Sequence, residues 1–281
     1  MDPGALALVG AGRAGTALAA ALVARGWTVT AVASRSPRSA RAAADRFGAR
    51  VTTVEEVGRD ATLVVLATPD GALGDVAARV APSLGAGALV VHLSGASTLE
   101  VLDPIARTRP DVSVGSLHPL QTLPVGEHGA ARLAGAWCAV EGPVVTIARS
   151  LGMHPIVVTP EHRSAYHAAA TIASNHVVAL LGQVARLADV VGVPFEAFLP
   201  LAQTALDNVS ELGPRAALTG PVARGDLATV ATHLDALPDA ERPAYRAVAT
   251  AALQLVGRDD HALRQLLEEW RDEVTATKVP R

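Results

Sequence analysis

The sequence predicts an N-terminal α/β domain with a mostly parallel, doubly wound sheet, residues 1–158, followed by an all-helical domain, residues 159–281. Three observations predict it. Short runs of apolar residues alternate with helical patterns through the first half, and the runs are apolar almost without interruption, as strands covered on both faces must be. A glycine-rich step, Gly10-Ala11-Gly12-Arg13-Ala14-Gly15, joins the first run to the first helix. After Thr159-Pro160-Glu161 only helical patterns remain.

Taken in order, strands are expected at 5–9, 28–33, 50–52, 62–67, 88–93, 112–115, 136–140 and 155–158, with helices at 13–25, 37–47 and 71–80 between the early ones. Thr159 as a cap, Pro160 at the first helical position and Glu161 in the first turn together announce a helix. It should run to Val191, where Gly192 and Pro194 stop it, a span of roughly 48 Å at 1.5 Å per residue. Further helices are expected at 195–212, 227–237, 240–256 and 261–275, with Asp226 and either Asp259 or Asp260 as caps. The glycine- and proline-dense stretch 218–226 reads as a specified loop.

Composition excludes several classes of function. Of the 281 residues, 50% are hydrophobic and 18% charged, enough for a substantial core. Aromatics are 3% and the net charge is −3, with arginines dispersed, so neither stacking surfaces nor a basic stripe is offered to nucleic acid. Cys138 stands alone, which rules out an internal disulfide or a multi-cysteine metal site and fits a reduced, cytoplasmic setting. No uninterrupted apolar run approaches the ~20 residues of a membrane span, so no membrane partner is expected. The single lysine is Lys278.

The Gly10-x-Gly12-x-x-Gly15 spacing, placed between a strand and a helix, is the fingerprint of a dinucleotide-binding Rossmann domain. Gly10 permits the tight turn, Gly12 the approach of a pyrophosphate and Gly15 close helix–strand packing. The helix start at Arg13 and Ala14 supplies free N–H groups to the phosphates. After the second strand comes Ser34-Arg35-Ser36, with Arg38 one turn on and no acid nearby. Hydroxyls and guanidinium groups suit a 2′-phosphate, so NADP(H) is the expected cofactor. Thr68 and Pro69 after the fourth strand, and Ser94 after the fifth, should line the crevice at the carboxyl ends of the strands.

Candidate chemistry concentrates on the long helix. With His167 at 0° and 100° per residue, Ser164, Thr171, Ser174 and Asn175 all fall within about 80° of it, a stripe of small neutral donors and acceptors around one imidazole. His118, in Ser116-Leu117-His118-Pro119 just after the sixth strand, is the second proton-transfer candidate. Arg224 could clamp a carboxylate bidentately. No metal-ligand spacing is present: His162 and His167 are five apart.

These motifs resemble the dehydrogenase superfamily that includes 6-phosphogluconate dehydrogenase, 3-hydroxyisobutyrate dehydrogenase, ketopantoate reductase and pyrroline-5-carboxylate reductase. Within it they are similar to a bacterial family that joins a Rossmann-like domain to a C-terminal helical domain of unknown function. The resemblance is carried by the glycine loop, Ser116-Leu-His118-Pro119-Leu-Gln, Tyr166-His167-Ala-Ala-Ala, Ala173-Ser174-Asn175 and Thr219-Gly220-Pro221 through Arg224-Gly225-Asp226. It implies a helical domain of the 6-phosphogluconate dehydrogenase C-terminal type, through which a homodimer forms. In better-known relatives the long helix carries a lysine and an asparagine; the matching positions here are His167, Thr171 and Asn175, without a lysine. The implied activity is NADPH-dependent reduction of a small 2-oxo acid, foremost 2-ketopantoate. His167 or His118 would give the proton, Asn175 and Ser94 would orient the substrate, and Arg224 would hold its carboxylate. Reduction of a C=N bond, exchange with a deazaflavin, and a non-catalytic NADP-binding sensor or scaffold are the alternatives.

Overall fold

The computed structural model describes residues 2–124 and 128–269. The chain forms two compact units, the first Met1–His176 and the second from Val177 onward. The first is built on one sheet: β1 (Ala5–Val9), β2 (Thr28–Ala33), β3 (Arg50–Val51), β4 (Leu63–Leu66), β5 (Leu89–His92), β6 (Ser113–Pro119), β7 (Trp137–Glu141) and β8 (His154–Val157). Their order across the sheet is β3-β2-β1-β4-β5-β6-β7-β8, parallel except where β6 meets β7.

The near-continuous apolar strands follow from cover on both faces. Leu6 and Leu8 point to one side, into a core with Leu18 and Leu22 of α1 (Arg13–Val23); Ala7 and Val9 point to the other. After α2 (Pro37–Phe47) comes α3 (Leu73–Val80), whose Leu73, Ala77 and Val80 complete that second core with Ile105 of α4 (Asp103–Thr108). This is the period-2 alternation of a strand made visible by two buried faces. Each fully buried leucine contributes on the order of 2 kcal/mol. Short helices α5 (His128–Ala131) and α6 (Val145–Ser150) follow β6 and β7.

Two local readings need correction. The sixth strand does not end at Gly115. Its first half pairs with β5 up to His92↔Ser116, and from Ser116 it pairs antiparallel with β7, His118 opposite Ala139. The change of partner prolongs the strand to Pro119, so His118 lies within β6 rather than on the loop after it. The long helix starts as expected near Pro160 but is not uniform: a 3-10 turn (Pro160–His162), α7 (Arg163–Thr171), a π segment (Ile172–His176) and α8 (Val177–Val191) follow one another. Thr159 makes no capping bond to backbone; its hydroxyl bonds His162 Nδ1 at 3.1 Å. Strands give way to helices at 157–160, yet the first unit extends to His176. Arg163, 1% exposed, bonds the Ser94 carbonyl and Ser116 hydroxyl and anchors this part of the helix to the sheet.

Helix Pro160–Val191, 32 residues with a window of mean hydropathy 1.3, is long and apolar enough by length and composition to cross a membrane. The expectation counted only uninterrupted apolar runs, and this helix is interrupted by polar residues such as Thr171 and Asn175, so it did not enter that count.

In the second unit α8 is followed by α9 (Leu199–Leu212), α10 (Pro214–Ala217), α11 (Pro221–Arg224), α12 (Leu227–Ala236), α13 (Arg242–Val256) and α14 (His261–Glu269). Its core gathers Val222, Val230, Leu234, Leu253, Leu263 and Leu267. The stretch 218–226 is therefore not all loop: Pro221 opens α11, and Gly225, at φ 74°, closes it. Asp226 caps α12 by accepting from Thr229 N–H at 3.1 Å, and Asp260, not Asp259, accepts from Leu263 N–H at 3.1 Å. The expected extension of the last helix over 270–275 lies outside the described residues.

Gly10 and Gly12 differ in what they tolerate. Gly10 has φ 94°, and a Cβ there would strike the Ala67 carbonyl oxygen; around Gly12 nothing lies within 4 Å of the equivalent position. Gly10→Ala should lower stability by about 1–3 kcal/mol, whereas Gly12→Ala should stay within about 0.5 kcal/mol of wild type. Urea midpoints of the two variants would separate them; equal midpoints would contradict the assigned close approach.

Candidate functional site

A cavity of about 1670 Å³ opens in the first unit at the carboxyl ends of the strands. Its place is dictated by topology: chain order reverses between β1 and β4, and the crevice there is where open α/β sheets bind ligands. The volume exceeds the roughly 300–1,000 Å³ of ordinary small-molecule pockets, leaving room for an extended ligand and a second small one.

The floor is the β1–α1 turn. Gly10, Gly12, Arg13 and Ala14 line the cavity; α1 has no side-chain cap at its N-terminus and no acid in its first turn. Its first N–H groups and the positive end of its dipole are thus available to an anion. Gly15 lies outside the lining. A Cβ on it would come within 2.5 Å of the Gly10 carbonyl oxygen and 2.7 Å of Ala67 Cβ, so its role is to let α1 pack against the sheet.

At one end, Ser34, Arg35, Ser36, Ser39, Thr53 and Arg79 contribute to the wall. Ser36 is also the cap of α2, accepting from Ser39 N–H at 3.2 Å. Arg38, expected beside Arg35, is not a lining residue: it sits on the exposed side of the first turn of α2, and Ser39 takes the wall position. Glu55 is the one acid among the described lining residues, and Arg79 pairs with it at 2.7 Å. The carboxylate is thereby paired, and Arg35 at the same end has no acid set against it among the described lining residues.

At the other end, β6 and the long helix bring His118, Tyr166 and His167 together. Tyr166 Oη and His118 Nδ1 are 2.8 Å apart with rings edge to face, and the His118 and His167 ring centres are 5.7 Å apart. Gly95 sits against both imidazoles: a Cβ there would lie 2.7 Å from His118 Nε2 and still closer to His167 Nδ1. Thr68, Pro69, Thr171, Ser174 and Asn175 complete the wall. Ser174 and Asn175 lie in the π segment, a distortion common at functional sites. Ser174 donates to the Ala170 carbonyl at 2.6 Å and Thr171 to the His167 carbonyl at 3.0 Å. Thr68 Oγ1 and His167 Nδ1 are buried without a hydrogen-bond partner. Orphans of this kind cost about 1–3 kcal/mol each unless a ligand satisfies them.

Three expected site residues lie elsewhere. Ser94 is buried behind the wall; its hydroxyl accepts from Ala96 and Ser97 N–H and donates to Ser97 Oγ at 3.0 Å, holding a turn, so it has no donor left for a substrate. Arg224 ends α11 in the second unit. Ser164, one position after Arg163, is not part of the lining. Two residues escaped the sequence reading. Tyr166 falls about 100° from His167 on a helical wheel, off the stripe, though tyrosine occurs only twice in the chain. Arg163 left no signal, since nothing local marks a charged residue for full burial.

Burial, and then the positive charge of Arg163, pushes the His92 imidazole down to about 4; burial, then His167 and Arg163, pushes His118 down to about 4, with Asp70 opposing in both. Both histidines are therefore neutral near pH 7. Above pH 6.5 folded and unfolded chains alike hold them neutral. Below it the unfolded chain binds protons that the folded one refuses, so folding loses stability as pH falls from 6.5 toward 4. Each imidazole should cost on the order of 1–2 kcal/mol by pH 5. Urea unfolding at pH 7 and pH 5 should show a smaller loss for His118→Gln than for wild type; an identical loss would contradict the burial of a neutral His118.

Comparison with known proteins agrees with this geometry. Residues 4–119 match the Rossmann-like domain and residues 139–252 match the domain of unknown function DUF2520. No curated protein matches the chain. Among solved structures, it is similar to a putative NADP oxidoreductase from Bacteroides fragilis, with 26% identity, 91% of this chain and 99% of that chain covered, and a TM-score of 0.75. A Thermotoga maritima protein is 27% identical over 95% of this chain and 99% of its own, with a TM-score of 0.61. An imine reductase from Myxococcus stipitatus in complex with NADP+ shares the fold at 20% identity, covering 93% of this chain and 98% of that one, with a TM-score of 0.61. The chain joins a Rossmann-like domain to a DUF2520 domain.

Proposed function

We propose that the protein is an NADPH-dependent reductase of a small 2-oxo acid, with 2-ketopantoate the first substrate to test. The observation that carries the reading is the convergence of His118, Tyr166 and His167 at the end of a cavity floored by the glycine loop. The residues fit the cofactor. The uncapped start of α1 and the open space at Gly12 suit a pyrophosphate, Ser34 and Arg35 suit a 2′-phosphate, and Thr68 Oγ1 offers an unpaired hydroxyl. The similar Bacteroides fragilis protein is a putative NADP oxidoreductase, and the Myxococcus stipitatus imine reductase is seen in complex with NADP+.

NADPH, when bound, supplies the hydride for a carbonyl carbon. The chain's own part is to orient the substrate and deliver a proton to the oxygen. Asn175 offers an amide to the substrate, and Thr171 and Ser174 shape the wall around it. His167 is the proton donor; in the tautomer with Nε2–H, neutral His118 accepts from Tyr166, which holds the ring beside His167. The charge around these groups favours a carbonyl over an imine. Arg163 lies behind His118, and Glu55, the only acid among the described lining residues, is paired with Arg79. A positive surrounding stabilises a developing alkoxide and an anionic substrate, and repels a protonated imine.

Purified protein should oxidise NADPH with a 2-oxo acid, faster than with cyclic imines and faster than it oxidises NADH. His167→Ala should cut kcat by about 10²–10⁴, and Arg35→Asp should shift preference toward NADH. Turnover of imines alone would replace the substrate assignment; tight NADPH binding with no turnover would leave a cofactor-binding protein of another kind.

A further inference from the structure

We propose that Arg163 is a positioning residue: through one guanidinium nitrogen, bonded at once to the Ser94 carbonyl and the Ser116 hydroxyl, it ties the Gly95 turn to β6 and so fixes the spacing of His118 and His167. Its effect on turnover rests on the reductase reading; its effect on geometry does not.

Arg163 is 1% exposed and heads the fully buried side chains in size. Burying a guanidinium is costly and normally demands a carboxylate partner with the remaining N–H groups satisfied. Here Nη2 donates to Ser94 O at 3.2 Å and to Ser116 Oγ, while Nε and Nη1 have no hydrogen-bond partner. Glu141 acts on Arg163 electrostatically without an ion-pair contact, and its Oε2 is buried and unpaired. The arrangement is poor as an anchor for stability alone, but it joins the segments that set the site: Ser94 after β5, Ser116 in β6 and the start of α7.

Gly95 makes this connection consequential. With no room for a Cβ between it and either imidazole, the turn has no slack, and a shift of the Ser94 carbonyl is passed to His118 and His167 together. The Ser94 hydroxyl, accepting from Ala96 and Ser97 N–H, makes the turn rigid enough to transmit it. The groups facing His118 are Tyr166, His167, Arg163, the buried His92 of β5 and, from the turn after β4, Asp70; Cys138 lies beyond Tyr166. Of these Arg163 is the one permanent cation, but burial is the larger influence on His118 and persists without it.

The test uses the full-length protein with ¹⁵N-labelled histidine. Wild type should show a nuclear Overhauser contact between the His118 and His167 rings and a His118 that stays neutral below pH 6. Arg163→Met should lose the contact and cut kcat about 10²-fold without changing NADPH affinity. Arg163→Lys keeps the charge, but its ammonium ends one bond short of where Nη2 meets its two acceptors, so contact and kcat should remain reduced. If Arg163→Met does not fold, Ser116→Ala, which removes one acceptor, should weaken the contact and lower kcat. Full recovery in Arg163→Lys, or an unchanged ring contact in Arg163→Met or Ser116→Ala, would overturn the proposal. A protein that reduces no 2-oxo acid, yet shows the predicted ring contact and its loss in Arg163→Met, would keep the positioning role and refute the reductase reading.

Discussion

Two backbones meet at the carboxyl ends of β1 and β4, and the site depends on how closely they do so. Gly10, with its positive φ, passes against the Ala67 carbonyl, and Gly15 lets α1 close on the Gly10 carbonyl. The approach places the first turn of α1 at the cavity floor and Thr68 in its wall. A side chain at either glycine would push α1 off the sheet, and the uncapped N–H groups would no longer face the crevice. The electrostatics of an anion site follow from this steric fact, because the helix start is useful only where a ligand can reach it.

A second close approach governs the opposite end. Gly95 allows the turn after β5 to lie against two imidazoles, and the sheet topology brings those imidazoles there. His118 is delivered by β6 at the point where the strand changes partner, and His167 by the first part of the long helix. Arg163, one turn before His167, ties both to the turn. The result is a site with a neutral His118 imidazole beside a buried cation, an environment that favours an oxygen becoming negative.

The parts legible in the sequence are those set by local chemistry. The β1 and β2 strands, the limits of α2, the glycine spacing and the Asp226 cap all depend on residues a few positions apart, and their patterns could be read directly. His118, His167, Thr171 and Asn175 were found from residue type and helical phase, and they line one cavity. What escaped depends on distant partners. The extension of β6 needs β7, the π segment changes the helical phase after Thr171, and the Ser94 hydroxyl is diverted into its own turn. Arg38 misled because spacing along α2 does not show which side of its first turn meets the crevice. Burial of Arg163 rests on Ser94 and Ser116, which are 69 and 47 residues away.

The central claim is that the glycine-loop end and the histidine end form one site for an NADP cofactor and its substrate. A crystal structure of the protein with NADP+ tests it most directly. The account predicts pyrophosphate on the N–H groups of Gly12 to Ala14, the 2′-phosphate at Ser34 and Arg35, and the nicotinamide between Thr68 and the His118–His167 pair. A nicotinamide bound away from those histidines, or a 2′-phosphate that does not touch Arg35, would contradict it.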